Sequence, residues 1–265
     1  MLKTPAIIIT PGAWHTPRHY QRLIDRLSQH NYPAIGVRLP SVNSSPPLHT
    51  WEQDAQAVRG AIMEKLNGGL DVVAVSHSFG GIIMSEAVKG LGKASRQKQG
   101  FSTGILRLVY MCSMAIPQGQ THVGQMKAIT PEEEKQEKRR RQEADISGGM
   151  RYTKDGAIII SRDAARKVFY NRCDPADVEE ALDMLGSFPS GPLTVPATYT
   201  AYREIPSTYI VCENDNALPL PFQERMIAQG GGVFHVERCQ EGHSPFLSNP
   251  EFVVQCIQRA AGEDV

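Results

Sequence analysis

Six short runs of apolar and β-branched residues, at positions 6–9, 34–39, 71–75, 105–112, 208–212 and 232–237, alternate with stretches of helical periodicity. Strands this apolar must be covered on both faces. A chain that places helices between successive strands does so by winding them to the two sides of a mostly parallel sheet, so a doubly wound α/β fold is expected. After the second run, Ala55, Val58, Ile62 and Leu66 recur at three- and four-residue spacing. This predicts an amphipathic helix over 50–66, with Thr50 and Gln53 as its capping box. Asn249 and Pro250 likewise supply a capping side chain and a first-turn proline for a last helix over 251–259. At 265 residues the chain suits one such domain with an insertion better than two independent domains.

The insertion is where the alternation stops. Between residues 116 and 202, Pro, Gly and charge replace the strand–helix pattern, which predicts a cap or lid over 116–202 on a core built from 1–115 and 203–265. Within it, residues 132–143 hold five glutamates (132, 133, 134, 137, 143) and five basic residues (135, 138 to 141). Acids early and bases late suit the dipole of a solvated helix rather than a nucleic-acid patch. Phe169, Tyr170, Phe188 and Tyr199 could line a pocket or form the cap's own small core. Lys93, Arg96 and Lys98 read as a basic surface turn that serves solubility.

Charge excludes other classes. The 28 Lys and Arg balance 28 Asp and Glu, so no net field draws the chain to nucleic acid or anionic lipid. No apolar window approaches the ~20 residues that span a bilayer, and the run at 6–9 is too short for a signal peptide, so a soluble, cytoplasmic protein is expected. The five cysteines are widely spaced without a Cys-X-X-Cys pair. They predict reduced thiols rather than a metal site or redox couple, and no cofactor or metal is implied. A small molecule is the expected partner; the oligomeric state is open, a homodimer being one option.

Chemistry concentrates at Val72-Val73-Ala74-Val75-Ser76-His77-Ser78-Phe79-Gly80-Gly81, a buried-strand run that enters a tight turn and then a helical pattern from Ile82. A strained strand-to-helix elbow presents a nucleophile only if the residues two before and two after are small, and Ser76 and Gly80 satisfy this around Ser78. Ser76 as nucleophile would leave Gly80 and Gly81 without their role in close helix approach, so Ser76 is read as structural. A serine hydroxyl needs a base. Of the two C-terminal histidines, His235 lies inside a strand run and reads as a packing residue, whereas His243 lies in the loop beyond it and is the candidate base. The imidazole in turn needs an orienting carboxylate, for which Asp215 is preferred over Glu213 by loop position. An acid after the earlier strand is excluded because no Asp or Glu occurs from 106 to 130. The backbone amides of Ala13 and Phe79 are the expected oxyanion donors, with Trp14 as the alternative to Ala13, since Gly12 permits a turn that points the next amides inward. Trp14, His15 and His77 are the expected substrate-binding residues.

Taken with Asn214-Asp215-Asn216-Ala217-Leu218-Pro219 and Gly242-His243-Ser244-Pro245, the chain resembles the α/β-hydrolase superfamily, within it the group of plant methyl esterases, hydroxynitrile lyases and related small-molecule hydrolases. The resemblance spans nearly the whole chain and implies an α/β-hydrolase fold whose variable cap is the insertion. It also implies a serine esterase acting on a small carboxylic ester or lactone through an acyl-enzyme. The alternative is the same triad used for lyase, retro-aldol, acyl-transfer or cyclisation chemistry. Two positions depart from the relatives: Pro11 stands where they commonly have His, and Ser76 where many have Gly. Ser244 occupies the position that is typically Lys in the lyases of this group, which weakens the lyase reading.

Overall fold

The computed structural model describes residues 4–127, 130, 131, 134, 135, 138, 139, 142 and 149–265; much of the charged tract at 132–143, including Glu132, Glu133, Glu137 and Glu143, lies outside the described residues. Nine strands are found among them: β1 (Ala6–Thr10), β2 (Ala34–Gly36), β3 (Val72–Ser78), β4 (Ile105–Ser113), β5 (Met150–Tyr152), β6 (Ala157–Ile160), β7 (Phe188–Pro189), β8 (Ser207–Cys212) and β9 (Phe234–Cys239). Six form the main sheet in the order β2-β1-β3-β4-β8-β9, every neighbouring pair parallel. This is the α/β-hydrolase fold. The chain leaves β1 in one direction to make β2 and returns on the other side to make β3, so the strand order reverses between β1 and β3. Ligand sites in such sheets lie in the crevice beyond the carboxyl ends of the strands at that reversal.

The two-residue period of the strands sorts the core. Ile7, Ile9, Val73 and Val75 face one side, where they bury Leu23 and Leu27 of α1 (Gln21–Gln29) and Val253 and Ile257 of the C-terminal helix Pro250–Ala261. Ala6, Ile8, Val72 and Ala74 face the other, against Val58 and Ile62 of α2 (Glu52–Asn67), Ile82 and Ile83 of α3 (Gly80–Ala87), and Met226 of the helix Leu220–Gly230. Each fully buried aliphatic side chain contributes about 1.5–3 kcal/mol.

Local signals were followed unevenly. Ala55, Val58, Ile62 and Leu66 are all buried, and Asn249 caps the last helix by accepting from the Phe252 amide at 3.3 Å. The predicted capping box of α2 does not form. Trp51, only 4% exposed, is the N-cap and has no capping side-chain bond, while Thr50 reaches the Glu52 carboxylate at 3.5 Å. Burial of the indole sets where the helix begins. β2 is three residues long rather than six, and His235 is exposed on edge strand β9 beside Glu237 at 3.3 Å instead of packed. The basic segment is a short helix, Lys93–Lys98, rather than a turn, and it is more than solvated: Lys93 pairs with Asp71 at 2.6 Å, and the buried Arg96 donates to the Thr103 carbonyl at 2.8 Å.

Between β4 and β8 the chain builds the antiparallel sheet β5-β6-β7 and the helices Arg162–Phe169 and Pro175–Met184. Their buried side chains, among them Ile158, Val168, Phe169 and Phe188, belong to the same apolar cluster as Ile82, Ile83 and Tyr110 of the sheet side. Hydrogen bonds fasten this segment to the loop after β1, among them the Trp14 indole N–H to the Ile158 carbonyl and the Gly186 amide to the Trp14 carbonyl, both 2.9 Å, and the Tyr170 hydroxyl with His15 Nε2 at 3.1 Å. Among the described residues no helix is long and apolar enough to cross a membrane.

Candidate active site

β3 ends on Ser78, whose φ of +54° lies in the left-handed region that a non-glycine residue occupies only under constraint. The constraint is visible in its neighbours. A Cβ on Gly80 would sit 2.4 Å from the Pro11 carbonyl oxygen, one on Gly81 2.6 Å from that of Met114, and one on Gly12 2.9 Å from the Ser78 Cβ. Only glycine lets the loop after β1, the elbow and the start of α3 come this close. Ser76 is fully buried, its hydroxyl 3.1 Å from that of Ser113, which donates to the Ser78 carbonyl at 2.8 Å. A register shift between His77 and Ser78 in the β3–β4 pairing accompanies this arrangement. Ser76 therefore has a partner in the β4 strand and no access to the cavity, whereas Ser78 is half-buried and lines it.

His243 follows β9 and Asp215 follows β8, and the two meet: His243 Nδ1 lies 2.7 Å from Asp215 Oδ2, both side chains buried. The other carboxylate oxygen accepts from the amides of Ala217 at 2.7 Å and Leu218 at 2.8 Å. An ionised carboxylate only accepts, so Nδ1 carries the proton and Nε2 presents a lone pair. That Nε2 is buried and has no hydrogen-bond partner among the described residues, the Ser78 hydroxyl included. Glu213 points elsewhere, accepting from the Gln240 side chain and lying 3.8 Å from Arg238. The amides of Ala13 and Phe79 donate to no acceptor among the described residues, and Trp14, with φ +64°, turns the loop between Ala13 and the His15 amide, which closes on the Gly12 carbonyl at 3.2 Å.

A cavity of about 350 Å³ opens on Ser78. Its walls are mostly apolar, including Trp14, Met150, Ile158, Val168, Phe169 and Leu193, with His122 among the few polar groups. Burial pushes the His122 imidazole down to about 4, so it is neutral at neutral pH. Of the four cap aromatics singled out in the sequence, Phe169 lines the cavity; Phe188 is buried behind Trp14 and Phe79, at 5.6 and 5.3 Å between ring centroids. Nothing in the irregular stretch around His122 marked it, because no period or motif includes it.

Two expected substrate contacts are corrected. His77 is fully buried, with Nδ1 2.7 Å from the Tyr20 hydroxyl and Nε2 2.8 Å from the His243 carbonyl, so both ring nitrogens are occupied away from the cavity. His15 is bonded to the Ala13 carbonyl at 2.8 Å and the Tyr170 hydroxyl at 3.1 Å, and it lines a separate cleft with Arg18 and Arg38 rather than the Ser78 cavity. Trp14 does line the cavity. Among the described residues His77, Cys112 and His243 bring ligand-type atoms within 4.8 Å. They are a poor metal set: His77 Nε2 and the Cys112 thiol both donate to the His243 carbonyl, and burial pushes that thiol up to about 12.

His15, His19 and His77 pack ring to ring, with centroids 4.7 Å (His15–His19) and 5.4 Å (His15–His77) apart. Burial lowers each imidazole, that of His19 to about 4, and the neighbouring histidines lower His15 and His77 further. The unfolded chain protonates these groups near pH 6.5 while the folded one does not, so below that pH the unfolded state binds more protons. Stability is therefore full above about 6.5 and falls as the pH drops below it, for His19 down to about 4. Thermal melts at pH 7.5 and 5 should show a marked drop in Tm; equal values would contradict neutral burial.

The sequence profile of the alpha/beta hydrolase family matches residues 7–255. The alpha/beta hydrolase nvfD of Aspergillus novofumigatus (strain IBT 16806) is 45% identical over 266 aligned residues, which cover 100% of this chain and 99% of that protein. Solved structures are similar in fold. The pyrethroid hydrolase from Sphingobium faniae JZ-2 has a TM-score of 0.74 at 17% identity, covering 97% of both chains. The methylesterase MES16 from Arabidopsis has 0.72 at 17%, covering 97% of this chain and 98% of that one. With the profile running over residues 7–255 and a relative 45% identical from end to end, this chain belongs to the alpha/beta hydrolase family.

Proposed function

We propose that the chain is a serine hydrolase that cleaves a small carboxylic ester or lactone through an acyl-enzyme. The observation that carries this is the buried His243–Asp215 pair, at 2.7 Å, whose free Nε2 is left unpaired while Ser78 opens on an apolar cavity. His243 Nε2 takes the Ser78 proton as Oγ attacks the substrate carbonyl. The amides of Ala13 and Phe79 hold the oxyanion, and the imidazolium, stabilised by Asp215, returns the proton to the leaving alkoxide. Water then repeats the sequence on the acyl group, releasing the acid and restoring Ser78. The apolar walls and the neutral His122 suit an ester whose enclosed part is uncharged, Lys127 being the one charged residue on the lining among the described residues. The esterase and pyrethroid-hydrolase names of structures sharing this fold support the reaction class.

The test is labelling with a fluorophosphonate, followed by peptide mass mapping, together with a panel of aryl esters and lactones. Phosphonylation of Ser78 and cleavage of at least one apolar ester or lactone are expected. An unlabelled Ser78 and an inert panel would reject the reading in favour of His243 acting as a plain base on a substrate that is not an acyl donor.

A further inference from the structure

Three hydrogen bonds run in one line behind the candidate site. The Gly12 amide donates to the Tyr20 hydroxyl at 3.1 Å, that hydroxyl lies 2.7 Å from His77 Nδ1, and His77 Nε2 lies 2.8 Å from the His243 carbonyl oxygen. The proton positions follow from the ends. A carbonyl only accepts, so Nε2 carries the hydrogen; Nδ1 is then a lone pair to which Tyr20 donates, leaving the Tyr20 oxygen to accept from Gly12. Tyr20 and His77 are wholly buried, and Phe246 packs on both rings, at 4.3 and 5.0 Å between centroids. Neither side chain lines the Ser78 cavity.

The residues at the joints matter more than the side chains between them. Gly12 precedes Ala13, His77 precedes Ser78, and the chain ends on the backbone of His243 itself. We propose that Tyr20 and His77 are positioning residues: the line from Gly12 through Tyr20 and His77 to the His243 carbonyl sets the oxyanion loop, the elbow and the base loop in register with one another. The catalytic consequence rests on the serine-hydrolase reading above; the mechanical coupling of the three segments does not. Cutting the line at Tyr20 leaves two buried polar groups without partners, the Gly12 amide and His77 Nδ1, and both lie next to groups whose placement must hold to well under 1 Å.

The decisive variants are Tyr20→Phe and His77→Gln, the latter keeping an amide N–H for the His243 carbonyl but offering no lone pair at the Nδ1 position. Hydrogen exchange read by mass spectrometry should rise in Tyr20→Phe not only around residues 10–24 but also in the peptide containing 240–246. A rise confined to 10–24 overturns the coupling, whether or not any ester is cleaved. On an ester that the wild type cleaves, kcat should fall about 10- to 100-fold with KM little changed, since misplacement of this kind costs up to about 10² in rate. Tyr20→Phe added to His77→Gln should cost little more than either change alone, because the line is already broken. Losses that multiply, or that appear in KM, overturn the proposal. Should Tyr20→Phe fail to fold, the exchange pattern of His77→Gln decides by the same criterion. Ser78→Ala run alongside separates the two ideas: if it retains activity, the hydrolase reading fails while exchange still judges the coupling.

Discussion

Ser78→Ala is expected to lower kcat by on the order of 10³ to 10⁶ while leaving the fold intact. The size follows from what is removed. Without the hydroxyl there is no atom to form the acyl-enzyme, and the remaining groups, His243 Nε2 and the amides of Ala13 and Phe79, can only assist direct attack by water. The fold should survive because alanine keeps the Cβ. The strained φ of +54° is imposed by Gly12, Gly80 and Gly81 crowding the turn rather than by the hydroxyl, which makes no hydrogen bond among the described residues. KM should change little, since the cavity walls are untouched. Steady-state kinetics beside a melting curve make the check; turnover within tenfold of wild type would exclude Ser78 as nucleophile.

Asp215→Asn is the second large effect, a drop in kcat of about 10⁴. Asp215 Oδ1 is already committed to the amides of Ala217 and Leu218, at 2.7 and 2.8 Å, so an asparagine there must keep its carbonyl oxygen on those amides and turn its NH₂ towards His243. A donor facing Nδ1 moves the ring proton to Nε2, which then cannot take the proton of Ser78. The fold has no reason to fail, because shape and backbone contacts persist. Glu213→Gln is the matched control. That carboxylate is held by Gln240 and Arg238 outside the site, and its neutralisation should leave kcat unchanged. If the two variants exchanged behaviour, the assignment of the carboxylate would be wrong.

The parts legible in the sequence are those whose physics is local. Continuous apolar runs became the main sheet, the spacing of Val58, Ile62 and Leu66 became the buried face of α2, and Asn249-Pro250 opened the last helix. The elbow could be read because steric demand at one turn is written in residues two positions either side of it. The start of α2 was misplaced because burial of Trp51, a tertiary event, outweighs a capping pattern. His77 was misread for the same reason. Its partners are Tyr20, 57 residues before it, and the His243 carbonyl, 166 residues after it, and no window of sequence contains that geometry. His122 was overlooked because nothing periodic surrounds it, and its position in the cavity depends on how the segment between β4 and β8 folds across the sheet.

That segment's shared interior bears on how such an enzyme could change its preferences through mutation. Phe169 and Phe188 are at once part of the wall, or directly behind it, and keystones of the main core, so any substitution that reshapes the pocket there also taxes folding. Tyr152 and Val123, 66% and 42% exposed at the cavity's edge, carry no such double duty. Selection for new substrates should therefore travel first through the mouth and reach the aromatic interior only in lineages that have already gained stability elsewhere.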